Sequence, residues 1–71
     1  MNTNIKLNVS KNIRIHRKKC GYTQEKLAEL ASIDYKYLQR LEGKNPPNIK
    51  LETIAKLAKV LKIDSSELLQ P

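Results

Sequence analysis

Apolar residues recur along this chain at helical intervals. Val9, Ile13, His16 and Cys20 fall at i, i+4, i+7 and i+11, one stripe of a helix opening after Asn8 or Ser10. Gly21 accepts the left-handed conformation at a helix C-terminus, and Lys18 and Lys19 suit the negative end of the helix dipole. These signals predict a first helix over about residues 9–20. Thr23 then offers an N-cap, Glu25 places negative charge in the next first turn, and Leu27, Leu30 and Ala31 make an apolar face with Ala28 beside it. A second helix is expected over 24–31. Asp34 is the next cap, Leu38 and Leu41 face inward, and Ile33 and Leu38 have the spacing of a hydrophobic staple, predicting a third helix over 35–42.

Gly43 ends that helix, and the adjacent Pro46 and Pro47 make residues 44–48 a loop, since prolines cannot continue a helix. Leu51, Ile54, Leu57, Ala58 and Leu61 mark a fourth helix over about 50–61. Asp64-Ser65-Ser66-Glu67 has capping-box spacing and starts a short fifth helix carrying Leu68 and Leu69. No run alternates with the period of a strand, so the expected fold class is all-α, a five-helix domain. Residues 1–8 read as a polar N-terminal arm and 9–71 as the domain.

Length changes the picture next. At 71 residues the chain makes one small domain, which buries only about 60% of its unfolded surface. Leu, Ile and Val number 19, or 27% of the chain, above the ~20% below which a charged chain is expected to stay disordered. No apolar run approaches the ~18 residues that span a bilayer, and the start Met-Asn-Thr-Asn-Ile-Lys has no apolar leader, so no membrane segment and a cytoplasmic location are expected. One Cys and one His are too few for a disulfide framework or a protein-built metal cage. Cys20 and His16 form no site with the geometry of a nucleophile and its base, so neither catalysis nor a cofactor is expected. Cys20 reads instead as a small core hydrophobe and His16 as a half-buried packing residue.

Charge is uneven. Residues 1–23 hold six bases and no acid, 24–48 are balanced, and 49–71 carry a single net positive charge, for +7 in total. Such asymmetry marks a surface for a polyanion, though a solvated basic face kept for solubility reads the same way. Lys11, Arg14, Lys18 and Lys19 are expected to supply long-range attraction rather than fixed contacts.

Two short helices joined by a tight turn give a helix-turn-helix signal of moderate specificity. The residues strengthen it. Thr23-Gln24-Glu25-Lys26-Leu27-Ala28-Glu29, then Ser32-Ile33-Asp34, then Leu38-Gln39-Arg40-Leu41-Glu42 resembles the phage-repressor and Cro type of helix-turn-helix, the XRE family. The similarity runs on through Leu51-Glu52-Thr53-Ile54-Ala55-Lys56-Leu57-Ala58 and Ile63-Asp64 to Leu68, covering about residues 9–69. It implies a lambda-repressor-like fold and a sequence-specific regulator of transcription on double-stranded DNA, a repressor or controller needing no cofactor.

The resemblance also implies roles. The third helix would enter the major groove with Tyr35, Lys36, Gln39 and Arg40 toward base edges, Arg suiting guanine and Gln adenine. Thr23, Gln24, Tyr37, Lys44 and Asn45 would meet phosphates, Gln24 beside the positive end of helix two. Arg17 and Glu42 correspond to the family's ion pair between helices one and three. Ser32 stands where Gly is common, implying either a left-handed Ser or a different turn. Five short helices leave Leu68 and Leu69 with more apolar surface than a thin core hides, which points to a homodimer through helix five with Ile49. The alternative is an antitoxin-like module whose main ligand is a protein partner.

Overall fold

The computed structural model describes residues 4–71, and its elements are α1 (Ile5–Cys20), α2 (Gln24–Ala31), α3 (Tyr35–Leu41), α4 (Leu51–Leu61) and α5 (Ser65–Leu69). α1 begins four residues ahead of the expected start, so residues 5–8 are helix rather than arm. Residues 1–3 of the expected arm lie outside the described residues. Asn4 starts the helix: its Oδ1 accepts the backbone N–H of Leu7 at 3.2 Å. The apolar stripe begins only at Val9 because the extra turn projects past the core, leaving Ile5 and Leu7 exposed. Periodicity reads the packed part of a helix, and a good cap extends it further.

One core joins every element. Val9 and Ile13 of α1 meet Leu27, Ala28 and Ala31 of α2, Leu38 and Leu41 of α3, Ile54, Leu57, Ala58 and Leu61 of α4, and Leu68 of α5. α1 packs on α4 and α5, and α2 on α3 and α4. α3 has α2 as its main neighbour, which leaves its far side open.

The ends of α2 and α4 are built alike. Ser32 (φ 57°) and Lys62 (φ 61°) are left-handed, at a cost of about 1–2 kcal/mol each for a residue with a Cβ. In each case the next residue but one from the last turn closes the motif: Ile33 N–H donates to Ala28 O and Ile63 N–H to Ala58 O, both at 3.0 Å. Ile33 and Ile63 then pack on the core, and that burial offsets the backbone cost. Of the two options for the Ser32 turn, the left-handed Ser is the one adopted. α5 opens on a capping box, with Asp64 N–H donating to Glu67 Oε2 at 3.1 Å.

Several expected core or interface positions differ. Leu68, expected at a dimer interface, is fully buried inside the monomer, whereas Leu69 is 40% exposed. Consecutive helical residues diverge by about 100°, so α5 presents one leucine inward and the next outward. Leu30 is exposed because Leu27 and Ala31, one turn apart, already fill the inward face of α2. Leu51 is 80% exposed because it opens α4 ahead of the packed turns. Cys20 ends α1 and is exposed, its Sγ 3.8 Å from Leu61 O, rather than in the core. His16 is half-buried, as expected.

Candidate nucleic-acid interface

Two caps set up the candidate surface. Thr23 Oγ1 accepts Lys26 N–H at 3.0 Å and Asp34 Oδ2 accepts Tyr37 N–H at 3.1 Å, fixing where α2 and α3 begin. Between them lies the tight turn through Ser32 and Ile33. Because Leu38 and Leu41 point into the core, Tyr35, Lys36, Gln39 and Arg40 are left exposed on α3. Lys36, Gln39 and Arg40 line an open concavity with Asp34, Gly43 and Asn45. Tyr35 is exposed on the same helix but is not part of that lining. Tyr37 is half-buried against the core, with the Arg40 guanidinium 5.9 Å from its ring centroid, which is near the limit of a cation–π contact. Lys44 and Asn45 are exposed on the loop leaving α3, and Thr23 is exposed at the start of α2.

What holds α3 in place is Glu42. Arg17 grips its carboxylate with one edge of the guanidinium, Nε to Oε2 at 2.8 Å and Nη2 to Oε1 at 3.0 Å. Gln24 Nε2 donates to the same Oε1 at 3.1 Å, and Arg14 Nη1 donates to the backbone oxygen of Glu42 at 2.6 Å. Arg17 also donates to Tyr22 O at 2.9 Å, tying down the α1–α2 link. The Glu42 side chain is only 2% exposed and Arg17 13%, so a buried carboxylate meets a half-buried guanidinium in a forked pair with its lone pairs well occupied. The Gln24 amide is thereby engaged by the Glu42 carboxylate.

Some structural roles escaped the sequence reading. Arg14 makes a fixed contact rather than diffuse attraction; it precedes Arg17 by three residues and so shares its face of α1. Ser10 is buried and donates to Gly43 O at 3.1 Å. Asn12 is buried and its Nδ2 donates to Leu68 O at 3.0 Å and Gln70 O at 2.7 Å, latching the end of α5 to α1. A polar residue three after Val9 and next to Ile13, inside the apolar face, was the available signal.

A family model described as helix-turn-helix matches residues 13–68. A crystal structure of a hypothetical transcription factor from Neisseria superposes with a TM-score of 0.89 at 33% identity, over 94% of this chain and 74% of that one. The restriction-modification controller protein C.AhdI from Aeromonas hydrophila gives 0.82 at 33% identity, over 89% and 94%. SinR, a master regulator for biofilm formation solved in complex with DNA, gives 0.83 at 29% identity, over 87% and 98%; its DNA-binding domain is from Bacillus subtilis. A search of curated proteins returned no match. With the match running from within α1 into α5 and including the turn between α2 and α3, the chain belongs to the XRE-type helix-turn-helix family of DNA-binding regulators.

Proposed function

We propose that this chain is a sequence-specific double-stranded DNA-binding regulator of transcription that acts by reversible occupancy of a two-fold site as a homodimer. The carrying observation is the open α3 concavity, lined by Lys36, Gln39 and Arg40 and backed by the buried Glu42 hub. A planar guanidinium and a side-chain amide on one exposed helical face match the donor and acceptor edges of guanine and adenine. Lys36 and Arg40, four residues apart, share that face, and Tyr35 stands at its leading end. Thr23, Gln24, Tyr37, Lys44 and Asn45 are the phosphate-contacting set, positioning the helix without carrying base identity. The rigid hub favours this use, because a reading helix must not swing as it docks.

Leu69 and Ile49 supply the dimer surface in this reading, Leu68 being spent on the core. The second reading is a module for a protein partner, favoured by the fact that SinR has also been solved as a complex with SinI. The test is selection of bound sites from random duplexes, followed by affinity measurements on the selected and a scrambled duplex. Arg40→Ala is expected to weaken the selected site by ~1–3 kcal/mol and to relax preference at one base pair. Lys44→Ala is expected to weaken both duplexes alike. Equal weakening by Arg40→Ala on both duplexes removes α3 as the reader, and failure to enrich any sequence favours the protein-partner reading.

A further inference from the structure

A second depression adjoins the α3 concavity at the loop. Asn45 is also a wall of a second groove, between that loop and the first turn of α1, whose other lining residues are Asn4, Lys6, Leu7, Lys44 and Pro46. Both depressions are lined by Asn45, so they adjoin across the loop and together make a track from α3 to the start of α1. Its ionisable groups are Lys36, Arg40, Lys44 and Lys6 against one acid, Asp34, whose Oδ2 already accepts the Tyr37 N–H. No acid occurs anywhere in α1, and neither Lys6 nor Lys44 has a carboxylate partner among the described residues.

The early start of α1 creates this groove. Had the helix begun after Asn8, Lys6 would belong to an arm; the Asn4 cap instead fixes residues 5–8 in helix and sets Lys6 opposite the loop. A line of unpaired cations extending the base-reading face suits a polymer whose charges continue beyond the bases being read. We propose that Lys6, with Lys44, holds duplex phosphates flanking the bases met by α3, lengthening the footprint by a backbone contact from α1. The proposal rests on the reading of α3 as the DNA-facing helix. It favours DNA over an acidic peptide because the track begins at α3.

The test measures affinity against salt on the selected site within a long duplex and within one truncated just beyond the bases read by α3. Lys6→Gln is compared with Lys59→Gln, which removes the same charge from an exposed position on α4 outside the track. Lys6→Gln is expected to reduce the log–log salt slope by about 0.9 per bound protomer, to weaken selected and scrambled duplexes alike, and to remove the advantage of the long duplex. Lys59→Gln is expected to leave the slope unchanged. An unchanged slope for Lys6→Gln with sequence preference intact overturns the role of Lys6 alone, as does an equal fall for Lys59→Gln. A parent chain with no sequence preference overturns the α3 reading and this proposal with it.

Discussion

Removing Arg17 tests the hub that holds α3. Arg17→Ala deletes two charge-assisted hydrogen bonds to the Glu42 carboxylate and a third to Tyr22 O. Glu42 then keeps only the Gln24 amide as a side-chain partner, at a position 2% exposed to water. An exposed ion pair is worth ~0–1 kcal/mol, but stranding a buried charge costs ~3–5 kcal/mol. A chain of this size is stable by roughly 4–11 kcal/mol, taking ~0.05–0.15 kcal/mol per residue. The variant is therefore expected to lose much of its stability, with Tm falling by ~12–40 °C at ~4–8 °C per kcal/mol. Urea denaturation followed by circular dichroism, run as a double-mutant cycle with Arg17→Met, Glu42→Leu and the pair together, isolates the coupling. The double variant is expected to be more stable than Arg17→Met alone, because no carboxylate is left buried. An Arg17→Ala chain within about 1 kcal/mol of the parent would place the pair in the surface class and refute the hub.

Three more outcomes are expected. Asn12→Ala, which leaves the buried Leu68 carbonyl without its donor, is expected to cost ~1–3 kcal/mol and to speed amide exchange in α5; protection unchanged there would show that the latch holds nothing. Lys62→Gly is expected to raise stability by up to about 1 kcal/mol in the same denaturation assay by relieving the left-handed backbone, and a loss instead would mean that unfolded-state entropy dominates. The two leucines of α5 are expected to separate folding from assembly. Leu68→Ala costs ~2–5 kcal/mol of monomer stability, while Leu69→Asp leaves the fold intact and shifts sedimentation toward monomer; a parent that is monomeric both free and on a palindromic duplex removes the dimer.

The sequence by itself determined the five helices, their order and most of their ends, because these depend on local chemistry. Thr23, Asp34 and Asp64 cap wherever they stand, Gly21 ends α1, and Pro46 and Pro47 forbid helix between α3 and α4. The exposed face of α3 was legible for the same reason, since placing Leu38 and Leu41 inward leaves Lys36, Gln39 and Arg40 outward. Tertiary structure decided what depends on neighbours distant in the chain. Periodicity cannot tell an inward leucine from an edge one, so Leu68 and Leu69 looked equivalent until α1 and α4 closed over only one of them. Arg14 read as a source of diffuse attraction and Asn12 gave no local signal of a role, because their carbonyl partners, at Glu42 and at Leu68 and Gln70, lie 28 to 58 positions away. The groove at Lys6 exists only because the start of α1 and the α3–α4 loop come together in space, a proximity no local pattern encodes.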